Sequence, residues 1–156
     1  LFSRTKVRAS YDGEVSPFSL VDLSYDLPNG LGLVGEVQLA PSLGVVPRIG
    51  AQYFTSIDDF SIYALATMSV NPDPNAEFLL SLSYAPEIRD DLSLYAGLEN
   101  LTSFGSNGHN FSCQDLRLGF EKGNFSFGAA ATITEIGAGE DLSVDTNVGG
   151  YFRTSF

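Results

Sequence analysis

The chain has 156 residues, the length of one domain, and we treat 1–156 as a single unit because no serine-, proline- or charge-rich stretch divides it. Only 17% of the residues are charged, and the formal net charge of −11 excludes nucleic acid as an expected partner, because phosphate binding needs clustered Lys and Arg. No segment approaches the roughly 20 consecutive apolar residues of a membrane-spanning helix, so this chain could cross a bilayer only as a closed barrel.

An alternation of apolar and polar residues with a period of two runs through most of the chain and predicts ten β-strands. The predicted strands are residues 3–11, 17–27, 31–40, 45–55, 60–70, 77–85, 92–101, 113–121, 124–134 and 142–156. Most are close to the roughly 9–11 residues of a tilted membrane strand. Pro47 lies inside the fourth strand and has no N–H for the ladder, so we expect a bulge, a later strand start or a sheet edge there.

Turn-forming residues separate these strands. The connections carry Asp12-Gly13, Pro28-Asn29-Gly30, Pro41-Ser42, Asp58-Asp59, residues 71–75, Asp90-Asp91, residues 102–112, Lys122-Gly123 and residues 137–140. No helix-length period lies between them, which predicts an all-β, antiparallel up-and-down barrel. Eight strands with two long loops, or part of a larger barrel, are the alternatives. The 102–112 connection is the longest and places His109 in a loop.

Sorting the predicted strands by parity gives one apolar face and one polar face. The polar face holds six of the eight basic residues and seven acidic ones: Arg4, Lys6, Arg8, Arg48, Arg117, Arg153, Asp22, Asp26, Glu36, Glu99, Asp115, Glu121 and Asp145. The interior of a ten-stranded barrel is narrow, and a buried charge without a partner is costly. We therefore expect a charge network in the lumen, which either plugs the barrel or lines a narrow passive channel.

Closure of the barrel requires the first and last strands to pair. Arg4, Lys6 and Arg8 are then expected near Asp145 of the last strand.

Alternation alone does not tell which face is inside, because soluble ligand-binding barrels have the same period with the apolar face inward. Aromatic residues of the apolar face, such as Tyr25, Tyr84 and Phe120, lie toward strand ends, while Ala and Leu occupy the middles. This distribution is typical of the interfacial girdles of membrane barrels. It favours a transmembrane barrel; the alternative is a soluble closed barrel that binds a small apolar ligand.

The last predicted strand runs from Val144 to Phe156 and ends on an aromatic residue. This ending resembles the C-terminal strand of small bacterial outer-membrane β-barrel proteins, where a terminal aromatic belongs to the targeting and assembly signal. The resemblance implies a Gram-negative outer membrane, with Phe152 and Phe156 in the assembly signal and both chain termini on the periplasmic side. It implies outer-membrane lipid and the barrel assembly machinery as partners, and it allows other envelope proteins or a second copy. The implied role is porin-like, structural or adhesive.

Few residues of this chain could take part in catalysis or metal binding. Cys113 is the only cysteine, so no intramolecular disulfide can form, and His109 is the only histidine. No recognised spacing connects His109 to a serine and an acid such as Asp115, so we expect no enzymatic activity. Asp58-Asp59 and Asp90-Asp91 are interpreted as turn residues, with weak binding of a divalent cation as the alternative. The sequence predicts no cofactor and no metal site.

Overall fold

A computed structural model describes the backbone of residues 2–9, 15–40, 44–137 and 139–154, and the side chains of residues 19–39, 44–137, 139 and 141–154. Its strands are β1 (Phe2–Ala9), β2 (Val15–Asp26), β3 (Leu31–Ala40), β4 (Gly44–Ile57), β5 (Phe60–Ser69), β6 (Ala76–Tyr84), β7 (Glu87–Arg89), β8 (Leu92–Gly105), β9 (Gly108–Lys122), β10 (Phe125–Ile136) and β11 (Ser143–Thr154). Two single-turn 3₁₀ helices, Pro28–Gly30 and Gly139–Asp141, lie between strands. Within the described ranges, no helix is long and apolar enough to span a membrane.

Ten of these strands form one antiparallel up-and-down sheet in the order β1-β2-β3-β4-β5-β6-β8-β9-β10-β11. The three-residue strand β7 pairs only with β8, to which the Asp90-Asp91 turn connects it. Each of the ten corresponds to one strand predicted from the alternation, which confirms the all-β antiparallel fold class. Among the described residues no ladder joins β1 to β11, so the predicted closure stays a prediction.

The sheet is strongly curved, and its polar face is the concave one. Gln38 Nε2 on β3 donates to Glu77 Oε2 on β6 at 2.8 Å, although these strands are three positions apart in the sheet. In a flat sheet strands three positions apart are separated by roughly 14 Å. The rings of Tyr95 on β8 and Tyr151 on β11 likewise approach to 6.3 Å between centroids. Such contacts require the sheet to curl around this face.

A pair of glycines allows the two tyrosines to meet. Gly119 on β9 and Gly128 on β10 are register partners and lie between Tyr95 and Tyr151 in the same row. A Cβ added at Gly119 would lie 2.1 Å from the Phe127 carbonyl oxygen and 2.7 Å from Gly128 Cα. Close backbone approach and the space for both rings therefore require glycine at this point.

The predicted long connection at 102–112 is wrong. Strand β8 continues to Gly105 and β9 begins at Gly108, so a tight hairpin joins them and His109 is the second residue of β9. The extended part is built from polar residues such as Thr102, Ser103 and Ser112, which pair across the ladder. Backbone pairing does not need apolar side chains, and this is why the apolar alternation ended before the strands did.

Pro47 is accommodated without a bulge or a delayed strand start. It pairs in register with Val37 on β3, and its carbonyl oxygen accepts from the Val70 N–H at 2.9 Å. The ladder with β5 begins only at Arg48 and Ser69. The missing N–H of Pro47 therefore points beyond the end of that ladder, as at a sheet edge, where little hydrogen bonding is lost.

The interpretation of the aspartate pairs as turn residues is confirmed. Asp58 and Asp91 adopt positive φ angles of 51° and 60°, as does Asn29 in the Pro28–Gly30 turn with 65°. Asn and Asp tolerate this left-handed region better than other non-glycine residues. The predicted turns at Asp12-Gly13 and Pro41-Ser42 lie outside the described residues.

Candidate functional site on the concave polar face

The convex face carries exposed apolar side chains on most strands of the sheet, whereas the leucines of β8 on this face are half-buried. Leu23 is 68% exposed, Leu118 60% and Val148 80%. The concave face instead buries polar side chains, and the described ones below about a tenth exposure are Asp22, Glu36, Gln38, Arg48, Thr67, Ser69, Ser103, Ser112, Asp115, Ser126 and Thr134, of which only Ser112 belongs to the convex side by register. The parity sorting thus separated two real faces.

Arg48 is the centre of the most buried cluster. It is 2% exposed and lies 3.4 Å from Glu36 Oε1 through Nε and 3.2 Å from Glu77 Oε1 through Nη1. Its Nε also donates to Thr67 Oγ1 at 2.9 Å, and Nη1 donates to Asn75 Oδ1 at 2.7 Å. The guanidinium is therefore compensated both by charge and by hydrogen bonds, which burial of an ion pair requires.

This cluster connects strands that are not neighbours. Gln38 Nε2 donates to Glu36 Oε1 at 2.7 Å and to Glu77 Oε2 at 2.8 Å. Asn75, in the connection before β6, donates through its backbone N to Ser69 Oγ at 2.9 Å. We refer to Glu36, Gln38, Arg48, Asn75 and Glu77 as the Arg48 cluster. It ties β3, β4 and β6 together across the concave space.

Asp22 lies beside the Arg48 cluster. It is the register partner of Glu36 and is 7% exposed. Among the described residues its Oδ1 has no hydrogen-bond partner. Two carboxyl groups directly opposite each other repel when both are ionised, so a further cation beside Asp22 would be stabilising. Arg4 pairs with Leu20 on β2, two residues along from Asp22.

A second, more exposed group lies at the other end of the sheet. Arg153 Nη2 on β11 is 3.1 Å from Glu121 Oε2 on β9 and 3.1 Å from Ser126 Oγ. Its Cζ stands 4.9 Å from the centroid of the Tyr95 ring, a cation–π contact. The ion-paired side chains are 43% and 36% exposed, so solvent screens this pair far more than the Arg48 pairs.

The remaining predicted charges occupy intermediate positions. Arg117 Nη2 lies 3.6 Å from Asp115 Oδ2, and Thr132 Oγ1 donates to Asp115 Oδ1 at 2.5 Å. Glu99 is the register partner of Asp115. The predicted network is therefore divided into several clusters along the curved sheet.

Two predicted acids are exposed. Asp26 accepts from Gln52 Nε2 at 3.4 Å, and Asp145 accepts from Asn147 Nδ2 of its own strand at 2.9 Å. The side chains of Arg4, Lys6 and Arg8, which are expected beside Asp145, lie outside the described ones, as does Phe156. Phe152 is exposed on the convex face and stacks on Phe125 with 5.8 Å between ring centroids.

The sequence reasoning missed Glu77 and Asn75. Glu77 is the first residue of the strand predicted at 77–85 and has the parity opposite to Phe78, so its place on the polar face was readable from the alternation. Asn75 lies in a connection, and no strand parity applies there. Only the curvature that brings the 71–75 connection over Arg48 reveals its role.

The apolar runs of the convex face share one height on β8, β9 and β10 and are displaced between β8 and β5. On β10 the run Phe125–Ile133 is centred on Ala129, and the register row through Ala129 passes Leu118, Ala96 and Tyr84 and ends at Phe60 on β5. The run on β5, Phe60–Met68, is centred four residues further along, at Ala64. Averaged over the four strand steps from β10 to β5, this is about 3.4 Å for each 4.8 Å of sheet width, which corresponds to a mean tilt of roughly 35° between the strands and the apolar belt.

No group of His, Cys, Asp and Glu in the described part of the chain could hold a metal ion. Cys113 is buried and forms no disulfide. No protein family, curated protein or solved structure matches this chain.

Proposed function

We propose that this chain is an outer-membrane β-barrel whose lumen is plugged by the Arg48 cluster and that it has a structural role in the cell envelope. The observation that carries the proposal is the reversed placement of the two faces. Leu23, Leu118 and Val148 are exposed on the convex side, whereas Arg48 and Glu36 are buried on the concave side at 2% and 4% exposure. In water such an arrangement leaves a large apolar surface in unfavourable contact with solvent, whereas lipid solvates that surface.

The slant of the apolar belt supports a closed barrel in a bilayer. Closed barrels need a strand tilt of roughly 35–45° relative to their axis, and the belt is a band at constant height only if the strands have about this tilt. A flat sheet on a soluble protein has no reason to displace its apolar runs by a mean of one residue for each strand between β10 and β5.

Closure by β1 and β11 belongs to the same proposal. Unpaired backbone groups cannot face hydrocarbon, so a sheet edge is excluded from the bilayer. β11 is exposed on both faces over most of its length, and pairing with β1 would cover its free edge and its concave face.

A plug is favoured over a channel by the burial of the charges. The wall of a water-filled channel keeps its charged side chains accessible to solvent, whereas Asp22, Glu36, Gln38 and Arg48 are each less than a tenth exposed. The hydrogen bond from Gln38 to Glu77 crosses the space that water would need. The lumen beside β2–β6 is therefore filled by side chains.

The first test is the behaviour of the purified protein. We expect it to require detergent, and to migrate differently in electrophoresis before and after boiling, because a folded barrel resists unfolding by the gel detergent. A protein that is monodisperse without detergent and has one mobility would contradict the membrane location and favour a soluble barrel with an apolar ligand.

The second test separates plug from channel. We expect no single-channel current when the folded protein is inserted into a planar lipid bilayer. Steady ion-selective conductance would overturn the plug and support the narrow passive channel. Insertion is verified independently by protection of the strands from protease.

A further inference from the structure

The convex face is not apolar over its full height. Near the β8–β9 hairpin this face carries Asn100, Thr102, Ser112 and Gln114, whereas leucines occupy it farther from the hairpin on the same strands. Ser112 is the register partner of Thr102 on β8 and of Glu135 on β10. The same row contains Phe78 and Val144, which are 49% and 56% exposed. A polar group thus lies at the boundary of the apolar belt.

A β-bulge brings the single histidine to this group. Ser103 pairs with Phe111, but the next residue, Phe104, pairs with His109, so Asn110 is an extra residue on β9. In a regular strand His109 and Ser112 would point to opposite faces, because they are three residues apart. The bulge reverses the parity, and His109 Nε2 lies 2.7 Å from Ser112 Oγ. Bulges commonly re-aim side chains in this way next to active sites.

The hydrogen bonds indicate which imidazole nitrogen carries the proton in the neutral ring. His109 Nδ1 lies 2.6 Å from the Gly137 carbonyl oxygen, which can only accept, so Nδ1 carries the proton. In the neutral ring Nε2 then has a free lone pair at 2.7 Å from Ser112 Oγ. The Ser112 hydroxyl also lies 3.1 Å from Thr102 Oγ1, to which it can donate, so its single proton turns from Thr102 to Nε2 when the histidine acts as base. This is the arrangement in which a histidine acts as general base toward a serine, with the carbonyl of Gly137 in the orienting role. The Phe104 ring packs edge-on against the imidazole at 5.8 Å.

We propose that Ser112 and His109 form a nucleophile–base pair that cleaves carboxylic esters of membrane lipids. Ser112 Oγ attacks the ester carbonyl carbon while its proton passes to His109 Nε2, and that proton leaves with the alcohol as the C–O bond breaks. Water then attacks the acyl-serine, gives its proton to Nε2, and releases the fatty acid as the proton returns to Oγ. Asn100, whose Nδ2 donates to Thr102 Oγ1 at 3.3 Å, supplies an N–H group on this face for the developing oxyanion.

The lipid assignment rests on the proposed membrane location. Below Ser112 the convex face consists of Leu98, Leu116 and Ala131, where an acyl chain can lie. Lipid ester groups are found at the boundary between hydrocarbon and headgroups, which is the height of the polar group in this barrel. Ser112 itself is 5% exposed, so a substrate must displace neighbouring side chains and the reaction is expected to be slow.

The test uses a biotinylated fluorophosphonate, which phosphonylates nucleophilic serines, on the whole chain in detergent. We expect labelling at Ser112 within hours, its loss in Ser112→Ala, and at least a tenfold lower rate in His109→Gln. Ser126→Ala is the matched control, because Ser126 is equally buried but hydrogen-bonds to Glu121 on the concave face. It should be labelled like the unaltered protein. An unlabelled Ser112 in protein that is folded by the boiling assay overturns the proposal.

Phosphatidylethanolamine vesicles then test the substrate class. We expect release of free fatty acid that is absent in Ser112→Ala. Labelling at Ser112 without this release overturns the lipid assignment. The boiling assay and the detergent dependence are measured on the same samples. If the protein is soluble without detergent and Ser112 is still labelled, only the proposed membrane location is contradicted.

Discussion

At the scale of single residues, two arginines show how differently an ion pair contributes in this chain. Arg48 is almost fully buried and satisfies Glu36 and Glu77 together with Thr67 and Asn75. Arg153 forms a pair of similar length, 3.1 Å, but remains 43% exposed in its side chain. Burial, rather than distance, determines what removal of each guanidinium costs.

We predict that Arg48→Ala lowers the free energy of unfolding by about 3–5 kcal/mol, because it leaves two carboxylates buried without their cation. Arg153→Ala is the control and should cost about 1 kcal/mol or less, because solvent screens its pair. Urea unfolding of the protein refolded in lipid vesicles measures both. Equal losses for the two variants would contradict the assignment of Arg48 as the centre of the plug.

At the scale of strands, alternation and turn residues were enough to find all ten long elements. The strand bounds were predicted wrongly where the side chains no longer alternate between apolar and polar although the backbone remains extended. β8 and β9 continue through polar residues to Gly105 and from Gly108, and β7 is too short to carry a period. The bulge at Asn110 has no signature in the alternation, because it changes which residues are opposite each other only after the strands pair.

The strand-level prediction concerns closure. In a Cys113→Ser background we expect Asp145→Cys to form a disulfide with a cysteine at one of positions 4, 6 or 8, because β1 and β11 then lie side by side. Ser24→Cys, one strand further from β11, is the control and should not cross-link with Asp145→Cys. Mass spectrometry after mild oxidation detects the bond. If none of the three positions cross-links in folded protein, the barrel is not closed by these two strands in the expected register.

At the scale of the whole molecule, the question is which solvent covers the convex face. Leu118 and Val144 have similar exposure, 60% and 56%. Leu118 lies in the row through Ala129 at the middle of the apolar belt, whereas Val144 lies in the row of Ser112 and Glu135 at its boundary. If water covers the convex face, a charge at either position should therefore have a similar cost. If lipid covers it, the charge at Leu118 should cost more, because Leu118 lies deeper in the bilayer.

We predict that Leu118→Arg destabilises the protein in lipid vesicles by about 2–4 kcal/mol, while Val144→Arg costs about 0–1 kcal/mol, because the cost of a lipid-facing arginine falls steeply from the midplane to the interface. Equilibrium unfolding in vesicles measures both variants. Equal and small effects at the two positions would show that water covers this face and would favour the soluble barrel.

Period-two alternation and turn chemistry predict the strands, their antiparallel order and the two faces, because both are local properties of the chain that do not depend on which strands pair. Parity groups charged residues such as Glu36 and Arg48 on one face, and the structure places these two as buried register partners. Curvature decided the rest. Only a curled sheet brings Gln38 to Glu77, Tyr95 to Tyr151 and Asn75 to Arg48. The first two contacts join strands that are not neighbours, the third joins a strand to a connection, and all cross a space that alternation does not describe.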